Sequence, residues 1–244
     1  MDVLSSVSSI LSLLQTPGSL RTFAFSRVHS IESAIVATSL TPYCSRLATI
    51  VDVGANVGQF SCSVKTVYPD AAIFAFEPLS TIARTLESNL KGQSNVSVRC
   101  AALGDKACRS EFFVNSYSQI SSMLTIDNTN KHPVYSKGVV STIEVDVITL
   151  DDFSSQHTMA KPILLKIDAQ GFEKNILQGA RRTLTNIDYL LLELAFAPLY
   201  NGQDLFDEMN EFIRSLDFRF TVPLSFHRGG KGSIIEVDSL YLRK

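Results

Sequence analysis

Short apolar runs alternate with stretches of helical spacing along most of this chain. The runs fall at residues 49–53, 72–77, 96–103, 163–168 and 189–194, and Lys166 alone interrupts the fourth. Such continuous runs suit strands buried on both faces, as in a parallel sheet. Between them, residues 59–68 place Phe60, Val64 and Val67 on one helical face. Ser80 reads as the N-cap of a helix carrying Ile82, Leu86 and Leu90, which Gly92 ends. Residues 172–184 predict a helix with Ile176, Leu177 and Ala180 inward, and residues 205–216 another with Phe206, Met209, Phe212, Ile213 and Leu216. The last two strands, 218–222 and 239–242, join around Gly229-Gly230 without a helix, so one strand should run antiparallel. The pattern predicts an α/β fold, a mostly parallel sheet covered by helices on both faces.

Two regions depart from the alternation. Residues 1–45 read as a helical extension, broken at Pro17-Gly18 and Pro42, with its second helix over about 30–39. Leu4, Val7, Leu11 and Leu14 share a face, which suits a helix that caps the domain or meets a second copy in a homodimer. The first basic residue is Arg21, so the segment lacks both the basic start of a signal peptide and the cationic face of a membrane-surface helix. Within the remaining domain, 46–244, residues 106–160 form an insertion. Strands at 111–114 and 142–148 flank a polar stretch, 115–138, that reads as a long loop or lid over a substrate.

Bulk composition narrows the class. The chain has 244 residues, 45% hydrophobic and 19% charged, enough core for one sizeable domain and too apolar for disorder. A net charge of −2 argues against an unassisted nucleic-acid binder. No apolar run approaches the roughly 18–20 residues that span a bilayer, so no stable membrane association is expected. Cys44, Cys62, Cys100 and Cys108 show neither a CxxC pair nor Cys/His ligand spacing. They read as reduced, buried or half-buried thiols of a cytoplasmic protein.

The most informative stretch starts at Thr49. Its strand stops at Gly54, Gly58 follows, and a helix begins at once. A strand, a glycine turn and a helix start let backbone approach a ligand and point N–H groups at it. Glu77 closes the next strand, about 20 residues past the turn, where an acid commonly grips ribose hydroxyls. The glycines fall as G-x-x-x-G, without the third that pyrophosphate demands, which counts against a nicotinamide oxidoreductase. A cofactor without phosphate fits better, and S-adenosylmethionine is one. Asp52 could accept from its ammonium, backbone at Gly54 could lie flat beneath it, and Glu77 offers two acceptor oxygens to its ribose diol.

Several segments then fall in one order: Asp52-Val-Gly-Ala-Asn-Val-Gly58, Phe76-Glu77-Pro78, Ala102-Leu-Gly-Asp105, Thr149-Leu-Asp-Asp152, Lys166-Ile-Asp-Ala-Gln-Gly-Phe-Glu173, Ile176-Leu-Gln-Gly-Ala180 and Val237-Asp-Ser-Leu-Tyr241. Together they resemble the FkbM family of S-adenosylmethionine-dependent methyltransferases, over roughly residues 48–243. The resemblance implies a Rossmann-like class I methyltransferase fold with a seven-stranded sheet, and methyl transfer to a hydroxyl oxygen of a sugar, polyketide or other small metabolite. By that resemblance Asp52, Gly54, Asn56 and Gly58 hold the methionyl end, Glu77 the ribose, and Leu103, Gly104 and Asp105 meet the adenine. Asp168 would sit where cofactor and acceptor meet. The family usually reads Asp-Val-Glu-Gly where this chain has Asp168-Ala169-Gln170-Gly171. Gln170 cannot replace a catalytic base, a departure that keeps open a cofactor-binding domain without activity.

An attacking alcohol gains from losing its proton. Asp168 and Glu193, at the ends of neighbouring strands, are the expected catalytic bases, with His132 and His227 as further candidates. Glu173 is a second acid near Asp168, and Lys166 is expected to pair with Asp168 or Glu193. Asp168 and another carboxylate would suit magnesium, but no dedicated ligand spacing is present and no metal is expected. Asp151-Asp152 reads as a helix start. Ser121-Ser122-Met123 lies in the long loop, within reach of substrate or cofactor.

Overall fold

The computed structural model describes residues 10–127, 138–229 and 232–244. Two helices lead, α1 (Ser19–Phe25) and α2 (Ile31–Ser39). Ser30 caps α2, its side chain accepting from the Ser33 N–H. The core strand β1 (Thr49–Val53) follows, then α3 (Gln59–Val67), β2 (Ala72–Phe76), α4 (Ser80–Leu90) and β3 (Val96–Arg99). After one further short strand and a hairpin, the alternation resumes with α5 (Leu150–Gln156), β7 (Ile163–Ile167), α6 (Glu173–Gln178), α7 (Arg181–Leu184) and β8 (Tyr189–Ala195). Helix α8 (Phe206–Ser215) precedes the long strands β9 (Phe218–Arg228) and β10 (Ile234–Arg243).

Seven strands form the main sheet in the order β3-β2-β1-β7-β8-β10-β9. All pairs are parallel except those made by β10. Every residue of β1 and β7 is buried, as their apolar runs demand. Alternation then decides which layer each side chain joins. Val51, Val53, Leu165 and Ile167 pack towards Leu150, Phe153, Ile176, Leu177, Met209 and Ile213 of α5, α6 and α8. Ile50 and Leu164 pack on the other face with Val36, Ala37, Phe60, Val64, Leu86 and Leu90 of α2, α3 and α4. Asp52 and Lys166 share that second face and are direct cross-strand partners.

Several predicted elements are corrected. The third run divides: β3 ends at Arg99, and Ala102–Leu103 (β4) leaves for a second sheet with β5 (Cys108–Asn115) and β6 (Val139–Ile148), in the order β4-β6-β5. Leu79, not Ser80, is the N-cap of α4. The helix expected over 172–184 breaks at Gly179 and Ala180. A Cβ at Gly179 would lie 1.9 Å from the Gly104 carbonyl oxygen, so the chain comes too close there for any larger residue. Within 115–138, Ser118–Ile120 forms a single 3-10 turn, and residues 128–137 lie outside the described residues. Cys44 and Cys62 are buried free thiols, whereas Cys100 and Cys108 are exposed. Among the described residues, no helix is long and apolar enough to cross a membrane.

Candidate functional site

Chain order reverses at β1, which has β2 on one side and β7 on the other. Open α/β sheets bind ligands at such a switch, beyond the carboxyl ends of the strands. A cavity of about 350 Å³ opens there. Gly54, Asn56, Glu77, Leu103, Asp168 and Glu193 line it. These are six of the residues that sequence alone proposed for the site.

Gly54 adopts φ +72°, and a Cβ on it would lie 1.8 Å from the Asp168 carbonyl oxygen. Only glycine lets the turn after β1 meet the loop after β7. Glu77 is buried in the cavity wall. Its Oε2 accepts from the Asn56 N–H at 3.0 Å and its Oε1 from the Leu79 N–H at 2.9 Å. Burial pushes its carboxyl up to about 7 against those two bonds. Asn56, at φ +48°, donates from Nδ2 to Ser118 Oγ at 2.9 Å, tying the turn to the 3-10 segment above it.

Asp52, Gly58, Gly104 and Asp105 are not in the cavity wall. Asp52 is fully buried on the α3 side of the sheet. One of its oxygens accepts from Ser61 Oγ at 2.6 Å, and the other lies 3.2 Å from Lys166 Nζ. It reaches the cavity only through that lysine, which lines the wall and lies 3.4 Å from Asp168. Burial opposes the Lys166 charge, but Asp52 and Asp168 outweigh it and hold the ammonium above its usual value. Gly58, at φ +96°, begins α3, where a Cβ would press within 2.8 Å of Leu86. Gly104 is a packing position against Gly179, and Asp105 faces solvent. Pro78, Ala101, Ala102, Phe112, Met123 and Phe172 complete the apolar wall near Leu103. Small and aromatic residues of this kind carry no signal in a single sequence.

At the other end Asp168 and Glu193 meet across Gln170. Its Nε2 donates to Asp168 Oδ1 at 2.9 Å and to Glu193 Oε2 at 2.8 Å. Glu173 serves the backbone instead. Its Oε1 accepts from the Ala169 and Gly171 N–H groups at 3.0 Å each, which shapes the loop before α6. Of the serines in the long segment, Ser121 lines the cavity and accepts from Asn115 N–H, while Ser122 Oγ donates to the Gln170 carbonyl at 2.7 Å.

His227 sits on β9 rather than in a loop. It pairs with Glu32 of α2 at 2.5 Å and with Glu193 at 3.3 Å. Glu236 and Asp238 of β10 line the same end, and Asp238 is the cross-strand partner of Glu193. Burial raises Glu193 well above the carboxylate range, Glu236 to about 7 and Asp238 to about 6. Burial would lower His227, yet the Glu32 hydrogen bond and nearby Asp238 and Glu236 raise it to about 10. One ligand atom from each of Glu193, His227 and Glu236 lies within 4.8 Å of the others, as it does for Glu32, His227 and Asp238. A divalent ion could span either set only after the imidazolium lost its proton. His132, the other histidine proposed as a base, lies outside the described residues.

The family model of the methyltransferase FkbM domain matches residues 52–220. A protein called Methyltransferase 1, from Beauveria bassiana (strain ARSEF 2860), is 31% identical over 143 residues, 53% of this chain and 57% of that protein. The alignment thus spans little more than half of that relative. The 2-O-methyltransferase NoeI of Sinorhizobium fredii (strain NBRC 101917 / NGR234) is 24% identical over 76% of this chain and 77% of its own length. Among solved structures, magnesium protoporphyrin IX methyltransferase (ChlM) from Synechocystis PCC 6803, with bound SAM, superposes with a TM-score of 0.50 at 8% identity, covering 86% of this chain and 77% of that one. At that identity the likeness speaks for the fold.

Proposed function

The chain belongs to the FkbM methyltransferase family, and from that premise we propose that it uses S-adenosylmethionine to methylate a hydroxyl oxygen of a small acceptor, such as a sugar or polyketide. The observation that carries this reading is Glu77, a carboxylate buried in the cavity wall and fixed by two backbone N–H groups. An acid so placed suits a ribose diol, because each oxygen keeps a lone pair for a hydroxyl. A cavity of about 350 Å³ is also in the range of small-molecule sites. Gly54 and Asn56 receive the methionyl end beside Asp168, while Asp52 acts at one remove by holding Lys166. Leu103, Pro78, Ala102 and Phe172 give the adenine its apolar bed.

When bound, S-adenosylmethionine supplies a methyl group on a sulfonium that departs as a neutral thioether. The protein's own task is to hold the acceptor oxygen in line and take its proton. Asp168, half-exposed in the cavity, takes that proton, and Glu193 supports it across Gln170. The name of NoeI, a 2-O-methyltransferase, supports oxygen as the acceptor atom. We take 46–244 as the methyltransferase domain, 1–45 as its helical extension and 106–160 as an insertion closing one wall.

Calorimetry with S-adenosylmethionine, its demethylated product and NAD, followed by methyl-labelled cofactor with a library of hydroxylated compounds, tests this. The cofactor and its product should bind, NAD should not, and label should appear on an acceptor oxygen. Binding of NAD alone overturns the proposal, and so does cofactor binding with no label transferred to any hydroxyl.

A further inference from the structure

Gln170 carries an arrangement that a glutamate could not make. A side-chain amide has two N–H donors on one atom and an acceptor on the other. Here the nitrogen faces two carboxylates, Asp168 at 2.9 Å and Glu193 at 2.8 Å. The oxygen accepts from Tyr200 OH at 2.7 Å. The opposite orientation would set a carbonyl oxygen against both acids, so the two acids fix the amide, while the Tyr200 hydroxyl also lies 3.0 Å from the Ile120 carbonyl. The backbone is held as firmly. Gln170 adopts φ +54°, a conformation that side chains rarely take, and Ser122 Oγ binds its carbonyl. Glu173 anchors the N–H groups on either side of it.

We propose that Gln170 is a positioning residue: its amide clamps Asp168 and Glu193 into one rigid pair at the acceptor end of the cavity. The inference rests on the methyltransferase reading for the word acceptor, but the clamp stands on geometry alone. A glutamate at this position would bring a third acid against Asp168 and Glu193, with at most one proton to donate where the amide has two. The departure from the family's usual residue is then an exchange of one way of ordering the site for another, not a loss of function. The charged and titratable groups around the pair are Lys166 beside Asp168, and His227, Glu32, Glu236 and Asp238 beside Glu193. Tyr200 closes the far side through the amide oxygen.

Side-chain amide NMR of the full chain labelled with ¹⁵N-glutamine tests the clamp directly. Both Gln170 amide protons should be shifted downfield and exchange slowly. Asp168→Ala should release one of them, Glu193→Ala the other, and Tyr200→Phe should loosen both. Gln170→Ala should leave the cofactor Kd within about twofold while kcat with the acceptor found by the hydroxyl screen falls by about ten- to a hundredfold. Gln170→Asn, too short to span the pair, should not rescue it. Two amide protons at free-glutamine positions overturn the clamp, whatever the activity. Engaged protons with wild-type kcat in Gln170→Ala overturn the positioning role. Failure of the wild-type protein to bind S-adenosylmethionine overturns the methyltransferase reading instead, and the NMR result on the clamp is unaffected.

Discussion

Glu77→Gln separates what the carboxylate does for the fold from what it does for the cofactor. Glu77 satisfies two backbone donors, Asn56 N–H at 3.0 Å and Leu79 N–H at 2.9 Å, one with each oxygen. Glutamine brings one oxygen, so its NH₂ must face the other donor. One buried N–H is left without an acceptor, which costs about 1–3 kcal/mol of stability. Hydrogen bonds to an ionised acceptor are worth about 1 kcal/mol more than neutral ones. Two ribose hydroxyls on a neutral amide therefore lose about 2 kcal/mol, about thirtyfold in Kd. The measurement is calorimetry with S-adenosylhomocysteine at a pH one unit above the value of about 7 that burial gives Glu77, so that the wild-type side chain is ionised. Urea unfolding of the same samples reads the structural share. A Kd within about twofold of wild type, with stability lowered by the amount just worked, would refute the ribose assignment and leave Glu77 as a latch on two backbone amides.

Other outcomes follow from the same contacts. Because burial pushes the Glu77 carboxyl up to about 7, binding that requires the anion must release a proton below that point. The wild-type Kd should therefore rise by up to about tenfold per pH unit below that point, and Glu77→Gln should flatten the profile; an equally steep profile in the variant refutes this. Lys166→Met should cost about 3–5 kcal/mol in urea unfolding, since it leaves a fully buried Asp52 without its counter-charge. The double change with Asp52→Asn should recover most of that loss. Gly54→Ala should destabilise by more than about 2 kcal/mol, from strain at φ +72° and a Cβ 1.8 Å from the Asp168 carbonyl oxygen. An unchanged unfolding midpoint would show that the β1 and β7 loops are not in contact in solution.

The strand–turn–helix unit from Thr49 was legible because burial on both faces leaves an unbroken apolar run and a tight turn leaves glycine. Glu77, Asp168 and Glu193 were legible as acids closing or nearly closing such runs. Asp52 was expected at the cofactor, but its side chain is turned to Ser61 and Lys166 and lies outside the cavity wall, which Val53 and Gly54 line. His227, Glu236 and Asp238 were not legible as a group. Their strands run 218–228 and 234–243, well past the apolar stretches that marked them, with polar and aromatic residues alternating on half-buried faces. The break at Gly179 was hidden too, because the helical spacing of Ile176, Leu177 and Ala180 continues across it and the reason for the break is a distant carbonyl.

The cavity has a second author besides the family's common stretch. That stretch, 52–220, contributes Gly54, Glu77, Asp168, Gln170 and Glu193, but Glu32 comes from before it and His227, Glu236 and Asp238 from after it. The two flanks meet in the Glu32–His227 ion pair. The polar end of the cavity is therefore assembled from three separate stretches of chain, a helix before the shared segment, the segment itself and the strands that follow it. Anyone grafting a new preference onto this scaffold would have to exchange head and tail as a matched set.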